Sequence, residues 1–153
     1  MRAKDIMQRQ VVSVLVDTPI KEIAALMLKH NISGLPVVND FNTVLGVVSE
    51  YDLMRKEIQP NEPSIWKVCL WGVTNENKLQ EYQDSLRKCM ANTAGDIMTS
   101  PAVTVDEMDD IEAVGNVMFE KKIKRVFVTR NGSLVGVISR SAFTKLLLDG
   151  NSV

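Results

Sequence analysis

One histidine, His30, stands in 153 residues, and two cysteines, Cys69 and Cys89, lie far apart in the chain. A lone imidazole nearly excludes a Ser-His-Asp relay, and it excludes any metal site built on two histidines. The cysteine spacing fits neither a paired zinc motif nor a redox pair. An excess of either charge is also missing: 18 basic and 19 acidic side chains leave a net charge of −1. That balance argues against broad binding to nucleic acid or to anionic membranes. No apolar run approaches the roughly 18 residues that cross a bilayer. The start, Met1-Arg2-Ala3-Lys4-Asp5, is not followed by an apolar stretch with a small-residue cleavage site, so no signal peptide is expected. The expectation is a reduced, soluble, cytoplasmic protein. What is present suffices for a core: apolar residues make up 45% of a 17.1 kDa chain, and charged ones 24%. That size suits one compact domain, or two small halves sharing one core.

Self-comparison supplies the organisation. Asp5-Ile6-Met7 recurs as Asp96-Ile97-Met98 at a shift of 91, and the same shift pairs Val12 with Val103, Val14 with Val105 and Ile20 with Ile111. It continues through Met27 and Met118, Ile32 and Ile123, and Val37 and Val128. One residue is then lost in a turn, and Gly46-Val47-Val48-Ser49 meets Gly136-Val137-Ile138-Ser139 at a shift of 90. The chain is an internal duplication. We divide it into unit one at 1–58, an insert at 59–94 and unit two at 95–153.

Each copy carries the same periodicities. Val11 to Val16 and Val103 to Val105 are short β-branched runs. Thr18-Pro19 reads as an N-cap followed by proline at the first helical position. Ile20, Ile23, Ala24, Met27 and Leu28 form one apolar helix face, repeated by Ile111, Val114, Gly115, Met118 and Phe119. Leu35 to Val38 and Val44 to Val48 predict two strands, matched by Val126 to Thr129 and Leu134 to Ile138. Asn131-Gly132 is a two-residue hairpin signal, where the first copy has the longer Asn39-Asp40-Phe41-Asn42-Thr43. A last helix begins after Ser49 and after Ser139. The expected fold class is α+β: two β-α-β-β-α units related by a pseudo-twofold axis and packed sheet to sheet, with a partly helical insert between them. A unit of about 50 residues buries too little surface to be stable alone, which is why the copies must share a core. In the insert, Pro60 and Pro63 precede Trp66 and Trp71, and Leu79, Tyr82, Leu86 and Met90 predict an amphipathic helix over 76–91. Its apolar stripe reads as a cover for core or a dimer seam; a ligand lid is the sharper alternative.

Ser49 followed by Asp52 has two readings. A serine at N-cap with an acid at N3 is a capping box, each side chain satisfying a free backbone N–H. The same strand-to-helix turn aims N–H groups and the positive helix end outward, which suits phosphate. There a carboxylate one turn on could accept hydrogen bonds from ribose hydroxyls.

The doubled β-α-β-β-α pattern, the two Asp-Ile-Met openings, the two Gly-hydrophobic-hydrophobic-Ser closings and Ile32-Ser33-Gly34-Leu35-Pro36-Val37-Val38 together resemble a tandem CBS-domain pair, or Bateman module. The resemblance covers the chain apart from the insert. It implies a stand-alone regulatory module, not an enzyme, that binds AMP, ADP, ATP or a related adenosyl ligand between the units and pairs into a homodimer. Carried over to this chain, it implies one site formed by Val48, Ser49 and Asp52 facing Pro101, Ala102, Val103, Ile123, Lys124 and Arg125. Ser49 would meet phosphate, Asp52 ribose, and Lys124 and Arg125 would neutralise phosphate. The opposite site, at Val12, Ile32, Gly34, Leu35, Ile138 and Ser139, has Ala142 in place of the acid and no positive charge on its loop. It is expected to be weak or empty unless Arg140 captures an anion. Lys121 and Lys122 read as solvated surface, His30 as a polar helix-end residue, and Trp66 and Trp71 as packing residues. No metal and no catalytic cofactor is expected. The expected partners are the adenosine-containing small molecule, a second copy of the chain and a regulated protein, with no nucleic acid and no membrane. The competing hypothesis is an interaction scaffold in which Ser49 and Asp52 only cap a helix.

Overall fold

The computed structural model describes residues 1–57, 75–90 and 92–148. In chain order these form α1 (Ala3–Ile6), β1 (Val14–Leu15), α2 (Ile20–His30), β2 (Gly34–Val38), β3 (Val44–Ser49), α3 (Glu50–Glu57) and α4 (Glu76–Met90). There follow α5 (Ala94–Ile97), β4 (Thr104–Asp106), α6 (Ile111–Glu120), β5 (Arg125–Arg130), β6 (Ser133–Ser139) and α7 (Arg140–Leu148). The duplication expected from sequence is therefore present as two three-stranded sheets, ordered β1-β2-β3 and β4-β5-β6. In each, the first two strands are parallel and joined by a crossover helix, and the last two form a hairpin. The insert helix expected over 76–91 is α4, which packs against α3. The expectations for Pro60, Pro63, Trp66 and Trp71 lie outside the described residues.

Both hairpins follow the local chemistry. Asn131 and Gly132 adopt φ of 50° and 82°, the pair of positive values a tight two-residue turn requires. The longer first hairpin is held by Asn39, whose Oδ1 accepts from the Phe41 N–H at 3.0 Å and the Thr43 N–H at 2.9 Å. Its extra residue reaches the other sheet. The Leu134 N–H donates to the Asn42 carbonyl, and Asn42 Nδ2 returns a bond to the Leu134 carbonyl, both at 2.9 Å.

Three local expectations are corrected. The β-branched run Val11 to Val16 pairs as a strand only at Val14–Leu15, because the chain before it is engaged elsewhere: Gln8 exchanges two backbone hydrogen bonds with Val137 of β6. Thr18 does not cap α2. Its hydroxyl accepts from the Leu15 N–H at 3.0 Å, and Pro19 itself occupies the cap position with extended backbone and no side-chain bond. The apolar helix faces are also narrower than their spacing suggests. Ile20, Ile23 and Met27 are buried, as are Ile111, Val114 and Met118, but Leu28 and Phe119 are 84% and 85% exposed.

The two Asp-Ile-Met segments are exchanged between the units. α1 opens the first unit yet packs on the second: the Ala3 and Lys4 N–H groups donate to the carbonyls of Asp109 and Glu107, and Ala3 and Met7 join the core of Val105, Val114, Val126 and Ile138. α5 does the converse. Ala94 and Gly95 donate to Thr18 and Val16, and Ala94 and Ile97 complete the core around Ile23, Leu35 and Val48. Gly46 and Gly136 are glycine for this reason. A Cβ on Gly46 would fall 2.7 Å from Met98 Sδ, and one on Gly136 2.5 Å from Met7 Sδ. A third core of Val38, Phe127 and Leu134, flanked by Val11, Val44, Val47 and Val137, lies between the sheets and packs them face to face.

Candidate functional site

Where β3 runs into α3, the two sheets leave a cavity of about 400 Å³, within the range of small-molecule sites. Seven residues expected at the first site line it: Ser49, Pro101, Ala102, Val103, Ile123, Lys124 and Arg125. Ser49 arrives at the end of β3. The stretch from Pro101 to Val103 follows α5, which the exchange has delivered to this unit. Ile123 to Arg125 come from the turn between α6 and β5.

Two expected residues do not line the cavity. Val48 is fully buried in the first unit's core, because residues alternate along β3 and its neighbours Val47 and Ser49 take the cavity side. Asp52 is 4% exposed, and its Oδ2 accepts from both the Ser49 N–H and the Ser49 hydroxyl at 2.9 Å. The structure thus brings Ser49 and Asp52 together at the start of α3, the carboxylate accepting from the Ser49 N–H as the acid of a capping box does, beneath the cavity.

Several lining residues were not assigned to this site by the sequence reading. Lys122, expected as plain surface, stands on the rim with φ of 53°, a left-handed conformation unusual for a lysine. Its counterpart Asn31 has φ of 51°, so the two helices turn out of their last residues in the same way. Glu50 and Tyr51 line the mouth as the first residues of α3. Tyr51 is 64% exposed, with the Arg55 guanidinium 5.8 Å from its ring centre. Ser33, Gly34 and Phe127 form the inner wall.

The cavity's charge is mostly positive: Lys122, Lys124 and Arg125 against Glu50. Arg125 is half-buried. Burial pushes its guanidinium below its ordinary pKa, and the nearby Glu50 carboxylate partly opposes the shift. Its side chain crosses to the other unit, donating from Nη1 to the Gly34 carbonyl and from Nη2 to the Ser33 hydroxyl, both at 2.8 Å.

The opposite cavity measures about 300 Å³ and is lined by Val12, Ile32, Gly34 and Ser139 from the expected set. Leu35 and Ile138 are fully buried core and do not reach it. With Ala142 in place of an acid, the Ser139 hydroxyl bonds instead to that of Ser141 at 2.6 Å. The loop Ile32 to Leu35 carries no positive charge, but a cation reaches this cavity from the other unit, because Arg125 lines it too. Arg140 lies elsewhere: its Nε donates to the Ile123 carbonyl at 3.3 Å, and it borders a separate groove beside Phe119 and Phe143. Among the described residues, no group of three or more His, Cys, Asp or Glu side chains could hold a metal ion, and no helix is long and apolar enough to cross a membrane.

Comparison with known proteins agrees with this architecture. An uncharacterized protein of Methanocaldococcus jannaschii is 26% identical across 97% of this chain and 92% of its own length. The chloroplastic CBS domain-containing protein CBSX2 of Arabidopsis thaliana is 26% identical over 86% of this chain. This chain spans only 56% of that protein's length. A crystal structure of CBSX2 in complex with AMP superposes with a TM-score of 0.78 at 27% identity, covering 97% of each chain. The CBS domain pair of protein MJ0100, solved with 5′-methylthioadenosine and S-adenosyl-L-methionine, superposes at 0.68. At 20% identity that likeness speaks to fold alone. The family model described as CBS domain matches twice, at 3–58 and 94–149. With both halves of the duplication matched, the chain belongs to the CBS domain family as a tandem pair.

Proposed function

We propose that the chain is a non-catalytic regulatory module whose larger cavity binds an adenine nucleotide or a related adenosyl ligand. The observation that carries this reading is the cavity itself: a helix start at Ser49, an apolar wall at Pro101 to Val103, and Lys122, Lys124 and Arg125 around one opening. The resemblance to a relative crystallised with AMP supports it. In this reading the apolar wall and its backbone hold the base, and Ser49, Lys124 and Arg125 meet phosphate through charge-assisted bonds. Asp52 meets ribose in this reading only where a ligand hydroxyl comes within reach of its buried carboxylate. The smaller cavity, without an acid, is the weaker site.

The module acts as a homodimer in this proposal. Leu28 and Phe119 occupy equivalent positions and are both left exposed, so each unit presents one large apolar side chain at the same place. Ligand binding biases the contact between units or between protomers, and a regulated protein in the cytoplasm reads the change.

A second reading has a specific observation behind it: Asp52 is already engaged by Ser49, as a purely structural cap would be. The chain would then be a dimerisation scaffold. Thermal unfolding and calorimetry with AMP, ADP, ATP and S-adenosylmethionine separate the two. A ligand specific for the folded state adds about 2.7 kcal/mol at a hundred times its dissociation constant. Unchanged melting temperature and heat with all four would leave the scaffold.

A further inference from the structure

We infer that Arg125 is a strap shared by the two cavities, and that its anchors Ser33 and Gly34 set how strongly the larger cavity prefers phosphate-bearing over neutral adenosyl ligands. This rests on the cleft reading given above.

Arg125 and Gly34 are equivalent residues under the shift of 91. Two arginines here would repel each other across the pseudo-twofold axis. With glycine in one copy, the guanidinium crosses the axis and bonds to the carbonyl of its own counterpart and to the Ser33 hydroxyl beside it. Arg125 and Gly34 therefore line both cavities and form part of the partition between them.

Both acceptors on the strap are neutral, although the cation is half-buried and has lost part of its hydration. A phosphate oxygen is a better acceptor for a guanidinium than a carbonyl or a hydroxyl. An anion in the larger cavity that takes these two Nη donors draws them from Ser33 and Gly34. A neutral nucleoside gains nothing by doing so. Arg125 is also the one charged residue lining the smaller cavity among the described residues. Once drawn away it leaves that cavity without a cation, so the pair of cavities takes one anionic nucleotide per chain.

The test is calorimetric titration of the full chain, its Ser33→Ala variant and its Arg125→Lys variant with AMP and with adenosine. The Arg125 Nε–H signal is followed by NMR and assigned by its loss in Arg125→Lys. AMP is expected to shift that signal and adenosine to leave it in place. Ser33→Ala, which removes one anchor, is expected to tighten AMP about five-fold while adenosine stays within about two-fold. Arg125→Lys is expected to weaken AMP about ten-fold and spare adenosine, since an ammonium cannot reproduce the fork. If AMP shifts the Ser49 and Lys124 amides while the Arg125 signal stays fixed, or if Ser33→Ala leaves the AMP-to-adenosine ratio unchanged, the strap is overturned and the cleft reading survives. If neither ligand perturbs any cleft amide, the cleft reading falls and the strap falls with it.

Discussion

Asp52 serves the fold whether or not it serves a ligand. Its carboxylate is buried and holds both the backbone and the hydroxyl of Ser49. Asp52→Ala should cost about 1–2 kcal/mol in urea unfolding, a typical price for a lost cap, and should weaken nucleotide binding as well. A second acid makes a pH prediction. Glu107 is buried to 9% exposure and accepts a two-pronged contact from Arg130, which lowers its pKa. The unfolded chain therefore holds the Glu107 proton at a higher pH than the folded chain does. The pair's contribution is complete above the ordinary carboxylate range and is lost as pH falls below about 4.5. Unfolding followed from pH 7 to pH 3 should show wild type losing more stability than Glu107→Gln over that window; parallel curves would remove the pair from the acid response. Residue types at this scale were legible in sequence where the chemistry is local, as with Ser49 and Asp52. Lys122 and Arg125 were harder to place, because their roles depend on a turn conformation and on a contact with residue 34, far away in the chain.

At the scale of elements, hairpins and crossover helices could be read from periodicity, since each is specified by neighbours a few residues away. The exchange of α1 and α5 could not. Asp-Ile-Met reads as the opening of its own unit, and nothing in its spacing says that Met7 packs over Gly136 or Met98 over Gly46. Only the glycines hinted at it, as positions where another segment approaches closely. Gly46→Ala and Gly136→Ala should each destabilise the chain by about 1–3 kcal/mol through overpacking. Met98→Ala combined with Gly46→Ala should recover part of the loss, a coupling that a double-mutant cycle reads directly. Simple additivity would mean the glycine is there for another reason. The exposed ends of the α2 and α6 stripes carry a similar lesson. The 3.6-residue period identified the apolar faces, but the width of the surface that covers them is a tertiary property.

For the whole molecule, duplication was the dominant signal, and it fixed the sheet-to-sheet arrangement because half a chain buries too little to stand alone. Symmetry then became the less reliable guide. The first hairpin docks on the second sheet, Arg125 faces Gly34, and Ala142 replaces the acid, so the two cavities differ in charge and size. Leu28→Asp with Phe119→Asp should turn a dimer into a monomer by sedimentation without changing the far-ultraviolet dichroism; an unchanged mass would place the dimer contact elsewhere. The central claim, that an adenosine-containing ligand sits between the two units, is tested most directly by mapping amide shifts during titration with AMP. Saturable shifts at Ser49, Val103 and Lys124, from both units and three separate elements, with Lys21 and Glu112 on the outer helices unmoved, are the expected result. Shifts confined to one unit, or none at millimolar AMP, would contradict it.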